Sequence, residues 1–176
     1  MQEKIKHLPF FELEISVFKN YLDDIAHFIE KTSKKLKKKK LSDDFEEYEY
    51  EFKPLLNSST FITIMSFVES NLNLICKNIK HANNYDIDIT DLSGNGIKRT
   101  FTYIEKAHNK KSEINNLRSE IKKFEGYSTI RNKIVHENGY VIGEGKIKNI
   151  KDIQKMIPDL ELKENPFCSD QISLFG

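Results

Sequence analysis

"FITIMSFVESNLNLICKNI", residues 61–79, is the stretch of sequence that decides the fold. Its large apolar residues recur at a 4-3-4-3-4 spacing, which places them along one side of an α-helix. The pattern predicts the strongest core helix of the protein over about residues 59–81, with Ser58 or Ser59 as its N-cap. The apolar residues of this pattern are Phe61, Met65, Val68, Leu72, Ile75 and Ile79.

The same apolar spacing occurs near the N-terminus, where it predicts a helix over about residues 10–38. Ser42 is a suitable N-cap for the next helix, which we expect to be short and to end near Pro54. The polar segment "HANNYDIDITDLSGNG", residues 81–96, has the turn-forming residues of a loop. The residues of the N-terminal pattern are Phe11, Ile15, Phe18, Leu22, Ile25 and Ile29.

Two further helices are predicted, one over about residues 96–108 and a long one over about 112–137 with a kink at Gly126. Together these segments predict an all-α fold, an up-and-down helical bundle that occupies residues 1–140. Residues 141–176 are expected to form a partly irregular C-terminal extension packed on the same domain. Within it, "YVIGEGKIKNI" predicts a short strand or hairpin, and "IKDIQKMI" one or two helical turns.

Composition limits the classes of protein to which the chain can belong. Its 38% hydrophobic and 31% charged residues are typical of a soluble globular protein. We expect a cytoplasmic protein without a membrane partner, because no apolar run is long enough to span a bilayer and the first residues do not resemble a signal peptide. The two cysteines, Cys76 and Cys168, have no metal-binding spacing, and we expect both to be structural and no metal or cofactor to be bound.

The net charge of +1 indicates no particular partner, but lysines are concentrated in "KKLKKKK", residues 34–40. This block has two interpretations. Lysines are favourable in the last turn of a helix, where they are solvated. The same block can also contact a phosphate backbone.

The second feature of interest is "IRNKIVHENG", residues 130–139. On a helix, Ile130 and Ile134 lie on one side, while Asn132 and His136 share the almost opposite side and Arg131 lies on the flank. One interpretation is a surface histidine whose cation suits the C-terminal end of a helix. The other is a catalytic site, since a histidine transfers protons and an arginine binds phosphate as a planar fork.

The Glu69 carboxylate is a candidate ion-pair partner for Arg131 of this motif. It lies on the predicted helix over 59–81, in a row that borders the apolar stripe, and a carboxylate at such a position usually needs a partner. Only three arginines are present among 28 basic residues, and Arg131 is a reasonable candidate. The alternative is a Glu69 side chain that simply extends into water.

These residues resemble the R-x4–6-H signature of the HEPN superfamily (higher eukaryotes and prokaryotes nucleotide-binding), in which a polar residue commonly follows the arginine. Arg131, Asn132 and His136 match it, late in an all-α domain and at the end of a long helix. "SFVESNLNLICK" is similar to the acidic second core helix of prokaryotic members. The resemblance covers about residues 10–140, mostly as a pattern of helices.

The resemblance implies a HEPN-like bundle that forms a homodimer with its two motifs facing each other. It implies a metal-independent endoribonuclease of a toxin–antitoxin or antiphage defence system, with RNA as substrate and an antitoxin or other defence protein as a further partner. Arg131, Asn132 and His136 would be catalytic and Glu69 supporting. The alternatives are a catalytically inactive HEPN module that binds nucleotides or assembles with a defence protein, and an unrelated helical interaction protein.

Overall fold

The computed structural model describes residues 8–39, 42–94, 96–108, 115–158, 160–165 and 168–174. The predicted all-α class is confirmed, because helices make up most of the described chain and the only strands described there form one small sheet. The helices are α1 (Leu8–Lys39), α2 (Ser42–Glu47), a π-helix (Tyr48–Phe52), α3 (Lys53–Asn83), a 3-10 helix (Ile89–Asp91), α4 (Gly96–His108), α5 (Arg118–Glu137) and α6 (Glu144–Met156). The strands are β1 (Tyr140–Ile142), β2 (Lys163–Asn165) and β3 (Cys168–Ser173).

The chain divides into two compact units, Met1–Leu56 and Asn57–Gly176. This division differs from the predicted one, which separates residues 1–140 from an extension. In the structure, residues 141–174 share the largest buried cluster with α5, so they are an integral part of the second unit.

In the first unit, α2 and the π-helix pack beside the C-terminal half of α1. Tyr48 is buried, and its hydroxyl donates a hydrogen bond of 3.2 Å to the backbone carbonyl of Ile29. Ser33 of α1 also donates to the Glu49 carboxylate. These contacts are confined to the last third of α1, the part followed directly by the chain reversal into α2.

The predicted helix end near Pro54 is wrong. Pro54 lies in the first turn of α3, which begins at Lys53 and runs without a break past Ser58 and Ser59. The π-helix leads directly into α3, with the Lys53 N–H donating to the Tyr48 carbonyl, so helical backbone continues through Pro54. Because proline lacks an N–H group, the irregular π-helical hydrogen bonding just before it accompanies the point where the regular α-helical pattern is interrupted. Proline is therefore tolerated at this position, and the serines are interior residues of the helix rather than caps.

The main core of the second unit lies between α5, α6 and the sheet. Phe61 and Ile62 of α3 and Tyr127 of α5 pack against its edge. Gly126 is buried in α5 and faces Ile153 of α6, and α5 continues through it as one helix. The predicted start of this helix near residue 112 lies outside the described residues. The buried residues of this core are Ile130, Ile134, Val141, Ile150, Ile153, Ile157, Leu160, Ile172 and Leu174.

A smaller core joins the end of α3 to α4. Cys76, Ile89 and Tyr103 are buried together, and the Tyr103 hydroxyl donates to the backbone carbonyl of Ile87 over 3.2 Å. Burial raises the pKa of the Cys76 thiol to about 11, which agrees with its predicted structural role. The Cys168 side chain lies outside the described residues.

The C-terminal segment is more regular than predicted. "YVI" forms the predicted strand, β1, but "EGKIKNI" belongs to the 13-residue helix α6 rather than to a hairpin. The final residues, for which no structure was predicted, supply β2 and β3 of an antiparallel sheet with strand order β1-β3-β2. Val141 of β1 pairs with Ile172 of β3, and both side chains are buried.

Candidate functional site

The R-x4-H motif lies in the last two turns of α5, and its predicted orientation is observed. Ile130 and Ile134 are buried in the main core, whereas Asn132 and His136 are exposed and Arg131 is half-buried. Since Asn132 and His136 are one turn apart, they share a solvent-facing side of the helix. The helix thus presents a polar surface almost opposite the side that it buries.

The helix ends at Glu137, one residue after the motif, because the two residues that follow Glu137 adopt left-handed backbone conformations. Asn138 has a φ of 50° and Gly139 a φ of 77°. The Gly139 N–H donates to the backbone carbonyl of Lys133 over 3.2 Å. This is the predicted αL stop, and it holds His136 in the last turn of α5.

Within the motif, Arg131 and Asn132 contact each other. Arg131 Nη1 donates to Asn132 Oδ1 over 3.0 Å. Arg131 Nε is buried and has no hydrogen-bond partner among the described residues. A guanidinium group has five N–H donors, and phosphate oxygens match its planar fork.

Next to the motif, Glu137 connects α5 to α6. Its carboxylate accepts hydrogen bonds from Lys133 Nζ at 2.6 Å and from Lys146 Nζ at 3.2 Å. The bond from Lys133, followed by that from Lys146, holds the pKa of the Glu137 carboxyl below its usual value. The end of the helix that carries His136 is thus tied to the following helix by an ion-pair network.

Glu69 is not brought together with this motif. No hydrogen bond or ion pair joins it to Arg131 in the described part of the chain. Glu69 Oε1 lies instead 2.9 Å from the point that a Cβ atom on Gly96 would occupy, at the first residue of α4. A carboxylate beside a helix N-terminus is favoured by the helix dipole, which accounts for its position without Arg131.

Three exposed apolar residues near the motif were not predicted from the sequence. Val135, Tyr140 and Ile142 are exposed by 42%, 47% and 56%, and all lie within six residues of His136. The alternation of exposed Tyr140 and Ile142 around buried Val141 is the signal that was available, because successive strand residues point to opposite faces.

Searches among protein-family models, curated proteins and solved structures find no match to this chain. Over the described residues, no group of three or more histidine, cysteine, aspartate or glutamate side chains has the arrangement of a metal site. No described helix is long and apolar enough to cross a membrane.

Proposed function

We propose that this protein is a metal-independent endoribonuclease of a toxin–antitoxin or antiphage system, with an active site that forms between two copies of the chain. One observation carries the proposal: exposed Asn132 and His136 stand one turn apart beside half-buried Arg131, whose Nη1 donates to Asn132 Oδ1. The resemblance of these three residues to the HEPN signature supplies the reaction class.

RNA supplies its own nucleophile, the 2′-hydroxyl group. The protein must therefore remove a proton from that group, return one to the leaving oxygen and stabilise the charge on the phosphorane. A histidine can carry out either proton transfer near neutral pH, and such catalysis is typically worth about 10²–10⁴-fold in rate. We assign proton transfer to His136, phosphate binding to Arg131 and orientation of either group to Asn132.

The helix α5 carries one histidine, whereas the reaction uses an acid and a base. A two-fold axis beside α5 would bring a second His136 and a second Arg131 to the same phosphate. The exposed apolar residues Val135, Tyr140 and Ile142, all within six residues of His136, support this arrangement, since exposed large apolar side chains are enriched at protein interfaces. The products would be a 2′,3′-cyclic phosphate and a 5′-hydroxyl end.

The decisive experiment is cleavage of total RNA by the purified protein in EDTA, with mapping of the new 5′ ends. The His136→Ala variant should lose at least about 10²-fold in rate, because one side chain serves as acid or base. His81→Ala is the matched control, because His81 is also an exposed histidine in the last turn of a helix, α3. Intact RNA with the wild-type protein, or equal activity of the two variants, would refute the proposal.

Arg131 can be tested in the same assay against another arginine. Arg131→Ala should lose about 10²–10³-fold in rate, as expected for removal of a donor to a developing negative charge. Arg118→Ala should retain activity, because Arg118 is exposed and its Nε donates to Asn115 at 2.7 Å away from the motif. Nucleotide binding without cleavage would instead favour the catalytically inactive HEPN module.

A further inference from the structure

The first helix carries a second row of residues, separate from the apolar stripe recognised in the sequence. Val17, Tyr21 and Phe28 are exposed by 61%, 41% and 55%, although they are large and apolar. They belong to a row with 3-4-3-4-3 spacing, the repeat of a coiled-coil seam. We name this row the α1 seam; its members, all exposed, are Glu14, Val17, Tyr21, Asp24, Phe28 and Lys31.

The exposed apolar residues of the α1 seam are regularly spaced over a long part of the helix, unlike the isolated apolar residues that are common on protein surfaces. From Glu14 to Lys31 the seam covers about 26 Å of helix, at 1.5 Å per residue. Leu13, exposed by 61%, widens its N-terminal end. The rings of Phe18 and Tyr21 stack with centroids 5.9 Å apart, which restrains Tyr21 on the surface. Large apolar side chains exposed on one side of a helix, between charged members of the same row, mark an interaction surface.

The charges along α1 show which partner suits this seam. Its N-terminal end is acidic, with Glu12 and Glu14, and its C-terminal end is basic, with exposed lysines from Lys31 to Lys38. A helix with opposite charges at its two ends is complementary to a reversed copy of itself. Two parallel copies would instead place Glu14 beside Glu14 and Lys31 beside Lys31, which is unfavourable.

We propose that two copies of this chain associate through antiparallel pairing of their α1 seams. With the two-fold axis between Leu22 and Asp23, every member of the seam faces another member. Glu14 then faces Lys31, Val17 faces Phe28, and Tyr21 faces Asp24, with each pair occurring twice. The tyrosine hydroxyl is a donor for the aspartate carboxylate, which gives the charge in the middle of the apolar seam a partner.

An anionic surface fits this seam less well. A membrane or an RNA backbone would attract the lysines but would also meet Glu14 and Asp24 on the same side of the helix. A second copy satisfies the acidic and the basic end together. The proposal concerns α1 alone and does not depend on the proposed ribonuclease, so its test must be insensitive to any association through α5.

The test is site-specific disulfide cross-linking of the full chain in a Cys168→Ser background, in which the remaining thiol, Cys76, is buried. An equimolar mixture of V17C and F28C should form covalent dimers at least about tenfold faster than either variant alone, because pairing raises the effective concentration of the two thiols. A mixture of K19C and A26C is the matched control. These exposed positions lie on the opposite side of α1 and should stay uncrosslinked.

Charge reversal then tests the orientation. In the mixture of V17C and F28C, adding Glu14→Lys to both chains should slow cross-linking about tenfold, and adding Lys31→Glu as well should restore the rate. Glu46→Lys, an equal charge change at an exposed position of α2, should leave it unchanged. Faster cross-linking of V17C with itself, no preference for the mixture, or failure of the double reversal to restore the rate would each overturn the proposal.

Discussion

The two compact units of this protein are built from helices with similar apolar spacing, but they differ in what they bury. In Met1–Leu56, Tyr48 is the one hydrophobic residue that is buried among the described positions. In Asn57–Gly176, two clusters of buried residues join α3, α4, α5, α6 and the sheet. From Ile15 to Ile29 the apolar stripe of α1 is only half-buried, and the α1 seam is exposed. Periodicity therefore reports which side of a helix is apolar, and the rest of the chain determines whether that side is covered.

The largest expected contrast is in stability. Ile150→Ala removes a side chain with no exposed surface from the main core and should lower the free energy of unfolding by about 2–5 kcal/mol. Leu55→Ala, at a position of the first unit that is 66% exposed, should change it by no more than about 0.5 kcal/mol. Urea denaturation followed by circular dichroism measures both. Similar losses for the two variants would mean that the two units do not differ in burial as described.

Packing between α5 and α6 can be tested at their glycines. A Cβ atom on Gly126 would lie 3.1 Å from Ile153 Cγ2, whereas one on Gly145 would meet nothing within 4 Å. Gly126→Val should therefore destabilise the protein by about 1–3 kcal/mol through overpacking. Gly145→Ala should be neutral or stabilising by up to about 1 kcal/mol, since alanine favours helix. Thermal denaturation of both variants would show whether the contact is as tight as the structure indicates.

Substitutions of Asn138, the residue that ends α5 after the motif, should have a smaller effect on stability. Asn138 has a φ of 50°, a conformation that costs an ordinary L-residue roughly 1–2 kcal/mol. Asn138→Ala should destabilise the protein by about 1 kcal/mol, whereas Asn138→Gly should be neutral or stabilising. Equal stabilities of the alanine and glycine variants in denaturant titrations would contradict the left-handed conformation.

The smallest expected effect concerns the loop between α3 and α4. Hydrogen bonds from Lys80 and then Thr90 hold the pKa of Asp88 well below its usual value. A depressed folded-state pKa stabilises the protein above the unfolded-state value of about 3.9, and the contribution is lost as pH falls through the folded-state value.

The melting temperature of the wild type should therefore exceed that of Asp88→Asn at neutral pH, and the difference should shrink between about pH 4 and pH 2. Asp86→Asn, an exposed aspartate of the same loop, is the control and should follow the wild type. The effect should be small because the ion pair between Lys80 and Asp88 is partly exposed to water. A difference that stays constant across this pH range would exclude the ionised carboxylate as its cause.

Local sequence patterns were sufficient to predict several elements correctly. The predicted helix over 96–108 is observed as α4 with the same bounds, and Asn138-Gly139 ends α5 as expected. The orientation of Asn132 and His136 away from Ile130 and Ile134 was also predictable, because helical geometry alone determines it. Their chemical roles stay a prediction until the cleavage assay is done.

Much of what the sequence did not predict depended on contacts between distant parts of the chain. Ile150 and Ile153 were assigned to an extension, yet they form the main core with α5 and β3, because the apolar side of α6 can be buried only against partners that the sequence does not name. Glu69 was expected to support Arg131; no hydrogen bond or ion pair between the two is described, and the Glu69 carboxylate lies beside Gly96 at the start of α4.

The sequence by itself determined the helical class, the helix stop after the motif and the surface on which Asn132 and His136 stand, since these follow from local backbone preferences and periodicity. Only the tertiary structure decided which apolar faces are covered, where Glu69 lies and how the last residues pair in a sheet. The physical reason is that burial and strand pairing depend on the whole folded chain, whereas helix geometry depends on a few neighbouring residues.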